Sequence, residues 1–569
     1  MRRLPISPRR AWLCCVMTVS VMVLADVDNA QAADARDAIP DAASLVIRWK
    51  TPQPSLENLS EFVEAVQPGM GETIRGSLPR IGEILGNPGF KGVRTDQDLW
   101  AIVFQEPQVL PTIVYVMTAK DADDVKDALP VNFHVHVEGK IVAYSEDEDA
   151  LEMVRQRLAG ERKSIWPRID DASRQLMDAA DLSLLINVRQ LVEDFADELD
   201  QAEPLFEAIL EDLSDTVPDA QRGQIEPLLD MYKKLGSLVI RGLRDSNSLV
   251  VGVSVAKSSL RIEKRLQFTS GTAAAKEFST AIDGELRLID KLPAGQPVYV
   301  GLKANVNSLV EWSMSFARTT LANGTNEQKS ELEAASKAAR TLKFEELALY
   351  MNVGLEAPVL RTGAVTLVTP AQEWRDIARR IAKAFSEVQL PGMTQQTVLE
   401  PGVDKIGGGE VDHVTVTQKF EDSDAEENQK KMLDLLFGEA GMQQWLLYQT
   451  NRVAQTMGGG KAELQNLVTA LDAASSNPSV TELRGHFFKK ANVLVLIDLP
   501  RLVLNGLTVA VKHQLIPLDE QSFDDIKLDP SFIGIAIAGQ DGAIGSQLEI
   551  PALQIINLSK LFQKINQLR

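Results

Sequence analysis

The sequence predicts an α+β protein: repeated strand–helix–hairpin–helix units that form antiparallel sheets covered by helices. Three patterns carry the prediction. Apolar residues alternate with polar ones through several hairpins, which means one face buried and one solvated, the mark of antiparallel pairing. Other segments place apolar residues three and four apart, the stripe of a helix lying on a sheet. A short apolar run followed by Asn or Asp and then a helical pattern recurs along the chain.

The elements follow in order. Leu45 to Trp49 reads as a strand, with a helix over Leu56 to Val66. Phe133 to Tyr144 is a hairpin turning at Glu138-Gly139 and feeding the helix of Ala150 to Leu158. Residues 184–192 (LLINVRQLV) align without a gap to residues 495–503 (VLIDLPRLV). In both, an apolar strand ends at a residue placed to cap the next helix, Asn187 or Asp498, and Pro500 falls in the first turn, where its missing N–H costs nothing. Leu249 to Phe268 is a longer hairpin with Val251, Val253 and Val255 alternating. A looser strand-to-helix opening runs from Val298 to Val310, with Asn305 or Asn307 near the helix start. Between Pro370 and Glu387, Trp374, Ile377, Ala378, Ile381 and Phe385 form one apolar stripe, with Arg375, Arg379 and Arg380 expected on its solvated side. Trp445 to Met457 turns near Thr450-Asn451 and leads into Ala462 to Leu471. Ile533 to Leu548 turns at Asp541-Gly542, a strong two-residue hairpin signal, before a helix ending near Gln567.

Units therefore start near 44, 182, 297 and 493. Their long-short-long-short order suggests a tandem duplication, 44–289 and 297–569, with an insertion at about 394–436 and a boundary at Pro293-Ala294-Gly295.

The first 32 residues read as a secretory signal peptide. Arg2, Arg3, Arg9 and Arg10 precede an uncharged stretch from Ala11 to Ala25, and Ala30-Gln31-Ala32 supplies a small-x-small site, so cleavage is expected between Ala32 and Ala33. The stretch is short of the ~20 residues that span a bilayer, and no transmembrane segment is expected after cleavage. Removal takes Cys14 and Cys15, the only cysteines, which excludes disulfides, thiolate nucleophiles and Cys-ligated metals from the mature chain. It also takes the formal net charge from -20 to -22. Net negative charge argues against nucleic acid and anionic lipid as partners. The expected location is periplasmic or extracellular.

The export signal, the strand-Asn/Asp-helix openings and the hairpin-helix units resemble a family of uncharacterised exported bacterial proteins, catalogued as a domain of unknown function and built from repeated α+β units. The resemblance implies an extracytoplasmic α+β protein and carries over no catalytic residues.

The chain holds five histidines. His134 and His136 project from the same face of a strand, and Glu138 continues the spacing, so a His-x-His-x-Glu metal set is conceivable. A turn at Glu138-Gly139 works against it, and the plainer reading is two histidines on a solvated strand face. Asp412-His413 lies in an alternating strand, without a Gly-x-Ser-x-Gly elbow to supply a nucleophile. Gly458-Gly459-Gly460-Lys461 resembles the end of a P-loop, but Gln455 and Ala462 stand where that motif needs Gly and Ser or Thr. The acidic runs at 121–124, 146–149 and 421–427 lack the central glycine of a calcium loop and precede helical patterns, where acids complement the dipole. No catalytic or cofactor-binding residue is singled out, and no cofactor is expected.

The expected function is a non-catalytic binding or scaffolding module of the cell envelope, its partner a protein or a small apolar ligand held between sheet and helices. The alternative is an extracytoplasmic hydrolase using carboxylates or a His134/His136 metal site. The oligomeric state is left open.

Overall fold

A computed structural model describes residues 35–216, 219–279, 284–303, 306–321, 324–390, 393–420 and 423–568. The predicted leader with Ala32 and Ala33, the two cysteines and Asn305 lie outside the described residues. The chain forms two compact units: residues up to Ala202 with Ile240–Glu277, and Glu203–Val239 with Phe278–Arg569.

The first unit contains β1 (Leu45–Trp49), α1 (Pro52–Val66), α2 (Gly71–Arg75), α3 (Leu78–Ile84), β2 (Leu99–Phe104), β3 (Thr112–Thr118), α4 (Ala122–Ala128), β4 (His134–Glu138), β5 (Ile141–Ser145), α5 (Glu148–Leu158), α6 (Asp171–Ala179), β6 (Leu182–Ile186) and α7 (Val188–Asp194). Two long helices follow, α8 (Ala196–Asp215) and α9 (Asp219–Asp245), whose 203–239 portion is counted with the second unit. Then come β7 (Ser246–Ala256), β8 (Ser259–Phe268) and α10 (Ala273–Glu277). All pairings are antiparallel, in the order β4-β5-β3-β2-β1-β6-β7-β8.

The second unit contains β9 (Val298–Leu302), α11 (Val306–Thr320), α12 (Asn326–Ala339), β10 (Lys343–Val353), β11 (Leu360–Thr369), α13 (Ala371–Ala384), β12 (Glu387–Leu390), β13 (Met393–Ile406), β14 (Gly409–Phe420), α14 (Ser423–Phe437), β15 (Met442–Tyr448), β16 (Arg452–Met457), α15 (Gly460–Asp472), α16 (Pro478–Arg484), β17 (Val493–Ile497), α17 (Leu499–Lys512), β18 (Ile533–Gln540), β19 (Ala543–Pro551) and α18 (Ala552–Leu568). Its antiparallel order is β12-β13-β14-β15-β16-β11-β10-β9-β17-β18-β19. Without β12–β14 this is the order of the first unit.

Register agrees as well as order. Leu45 pairs with Ile186 and Ile186 with Leu249; Val298 pairs with Ile497 and Ile497 with Ile533. The connecting bonds match residue for residue. Asn187 N–H donates to Ser44 O at 2.9 Å, and Asp498 N–H to Pro297 O at 2.7 Å. Both side chains then cap the following helix, accepting from the N–H of Gln190 and Arg501. Asp181 Oδ2 accepts from Val255 N–H at 2.8 Å, and Asn492 Oδ1 from Gly539 N–H at 2.6 Å. These bonds satisfy backbone N–H groups at helix starts and strand ends in partly buried surroundings.

One face of each sheet is sealed. In the first unit Val46, Ile102, Val116, Ala143, Leu185 and Val250 pack with Ile39, Val154 and Met177. In the second, Tyr299, Ala348, Val365, Leu494, Leu496 and Ala536 pack with Ile289, Leu464 and Leu467. The opposite face is sealed over one half only, by Leu56, Ile81 and Val125 in the first unit and by Met314, Leu332 and Ile377 in the second.

Candidate functional site

The other half of that opposite face is the candidate site, and it recurs in both units. Antiparallel register lines up side chains in rows across the strands. In the second unit the rows are Leu347-Leu302-Val493-Ile537, Leu349-Val300-Val495-Ile535 and Met351-Val298-Ile497-Ile533. In the first they are Leu99-Trp49-Leu182-Val253, whose Leu99 and Trp49 are buried at the edge of the sealed half, then Ala101-Ile47-Leu184-Val251 and Val103-Leu45-Ile186-Leu249, where Val103 is buried. Every member is apolar.

Burial separates the two faces sharply. Ile535 and Ile537 are each 37% exposed, while Ala536 between them is 0%. Val493, Val495 and Ile497 are half-buried against fully buried Leu494 and Leu496. In the first unit Leu184, Ile186, Leu249, Val251 and Val253 are half-buried beside fully buried Leu185 and Val250. Helices lie against these sheets without sealing them. In the second unit α17 is anchored by Asn505, which donates to Val353 O at 3.0 Å, yet Leu502, Val503, Leu504 and Leu507 along it are themselves only half-buried. An apolar strand face beneath an apolar, partly exposed helix favours a hydrocarbon or aromatic surface over water. It offers no acid, base or nucleophile.

The residues singled out from sequence lie elsewhere. His134, His136 and Glu138 do share one face of β4, and the turn is Gly139-Lys140, so Glu138 still pairs with Ile141 and follows the alternation. The sequence reading placed Glu138 in the turn; Gly139, at φ 59°, takes that place because it alone there adopts the left-handed conformation freely. His136 Nε2 stands 3.7 Å from Glu138 Oε2. Among the described residues, no group of three or more His, Cys, Asp or Glu side chains is placed to hold a metal ion. Asp412 and His413 point to opposite faces of β14. Asp412, fully buried, accepts two bonds of 2.7 Å from Arg379, whereas His413 stacks on Trp445 at 4.4 Å and meets Glu400 at 2.7 Å. They form no dyad. His486 lies 3.2 Å from Glu549, and His513 ends α17.

Gly458, Gly459 and Gly460 line an open cleft of about 430 Å³ with Arg361 and Glu439. Lys461 is not among its lining residues and pairs with Asp404 instead. Two arginines of α13 depart from expectation: Arg379 grips buried Asp412 and Arg375 reaches Glu410 at 2.7 Å, which ties α13 to β14 rather than leaving them on a solvated face. Arg380 is exposed as expected while reaching Glu331 at 2.8 Å.

No family model matches the chain, and no curated protein does. A solved structure, crystal form III of TP0453, is similar at 8% identity over 48% of this chain and 97% of that one, with a TM-score of 0.21. A likeness of that size supports no argument about fold or activity. No helix among the described residues is long and apolar enough to cross a membrane.

Proposed function

We propose that the chain is an exported, non-catalytic binding module of the cell envelope, built by tandem duplication, in which each copy holds a small apolar ligand on its half-covered sheet face. One observation carries this reading: corresponding rows of apolar residues, in the same register, are left partly open in both units, with Trp49, Leu99, Val103 and Val298 the buried members. The Arg-rich start and the Ala32/Ala33 site support export, and the matching bonds at Asn187 and Asp498 and at Asp181 and Asn492 support duplication. A ligand laid on these rows would withdraw their apolar surface from water, at about 25 cal/mol for each Å² covered.

The test is to purify the chain after export, extract it with organic solvent and weigh what is released. Acyl-chain or other apolar molecules in the extract, with a fluorescent fatty acid binding to the emptied protein, are expected. An empty extract together with no probe binding overturns the reading.

A further inference from the structure

We infer that the chain pairs with a second copy of itself through the α8–α9 helical hairpin, in an arrangement that sets α8 of each copy against α9 of the other. The inference goes beyond the ligand-binding reading and stands whether or not the sheet faces carry a ligand.

The hairpin has two apolar sides. Its inner side is used: a Cβ on Gly236 would lie 2.2 Å from the Phe206 ring, so the two helices touch closely there, and Leu210 is 6% exposed. Ser237 donates to Glu203 across the same contact. The outer side is unused. Leu205, Ile209 and Leu213 recur every four residues along α8, and Leu235, Leu238 and Val239 continue the surface on α9. All six are between 48% and 62% exposed. At about 100 Å² each they present roughly 600 Å² before any rim residue is counted, at the upper end of the largest patches on monomers and approaching the ~800 Å² each partner brings to a stable interface.

Among the described residues, the hairpin has no equivalent after the matching strand β17. Ile186 and Ile497 hold the same register position, but the connection after Ile497 contains only α17 and a short 3-10 turn at Glu520–Phe523 among the described residues. The extra helices are thus not required by the sheet they interrupt.

Charge selects the occupant and its orientation. No Lys or Arg occurs in α8, and its apolar stripe is bordered by exposed Asp212. The second half of α9 carries Lys233 and Lys234, with Lys234 exposed at the outer border of its stripe. Two copies related by a two-fold axis running along the hairpin place the acidic border of each α8 beside the basic border of the other α9. The perpendicular two-fold axis would stack acid on acid. An anionic lipid surface meets the same acidic helix and is disfavoured. A self-complementary patch of this kind closes as a dimer.

Light scattering and sedimentation of the chain without its leader, from 1 to about 100 μM, decide the question. The expected result is twice the mass of one chain. Leu205→Glu with Leu238→Glu should raise the dissociation constant at least a hundredfold with circular dichroism and melting unchanged, since both side chains are exposed. Asp212→Lys should weaken pairing about tenfold at low salt, and adding Lys234→Glu should restore it. A monomer at every concentration overturns dimerisation; a dimer that survives the leucine changes, or a charge loss the second swap does not restore, overturns this interface.

Discussion

Asn187 and Asp498 occupy the same register position, cap the same kind of helix and differ in charge. Asp498 is 1% exposed, and burial pushes its carboxyl above the ordinary value of 3.8 despite Arg501, the Arg501 and Ser531 N–H groups and Gln554. A carboxyl raised on folding contributes stability below its unfolded pKa and loses it as pH climbs through the folded value. Asp498→Asn, which installs the residue found at 187, should therefore match the native chain near pH 4 in urea melts and overtake it by about pH 7. A difference independent of pH would show that Asp498 does not titrate in this way. The Arg379–Asp412 pair makes the opposite case. Asp412 is fully buried, so Arg379→Ala leaves a carboxylate with only the Gly402 N–H at 2.8 Å and should cost about 3 kcal/mol in urea unfolding. Neither partner's role was legible in the sequence. Helical spacing puts Arg379 on the polar side of α13, but the strand that covers that side comes from residues far along the chain.

Elements were more legible than contacts. The turn at Asp541-Gly542 is present with both residues at positive φ, 55° and 69°, as a two-residue hairpin requires. Gly542→Ala should lower the melting midpoint by an amount equivalent to about 1 kcal/mol, because a Cβ is strained in that conformation. Alternation also located the strands of the hairpins at 133–144 and 249–268. It misplaced the first turn by one residue, since Glu-Gly and Gly-Lys are both plausible turn pairs until pairing with Ile141 decides between them. The α8–α9 pair shows the limit of periodicity in another way. Its helices carry apolar residues around more than one side, so no single stripe stands out, and the sequence reading named no helix between 192 and 249.

At the scale of the whole molecule, each unit keeps the same sheet face half-covered, which leads to a stoichiometric prediction. A fluorescent fatty acid should bind at two equivalents per chain, and Leu184→Asp or Val495→Asp should each remove one without affecting the other. Binding at one equivalent would separate the two faces in function, and loss of both from one substitution would overturn their independence. The sequence alone determined local parts: the strands and helices with a clear single period, the capping positions at 187 and 498, the turn at Asp541-Gly542 and the gap-free likeness of 184–192 to 495–503. These follow from short-range rules, since propensity, period and capping are set within a few residues. Tertiary structure decided which faces are sealed, that Arg379 reaches Asp412, that Asp412 and His413 part company, and that the outer side of α8–α9 is bare. Burial is a property of what packs opposite a residue, and the covering element lies too far along the chain for any period to reveal it.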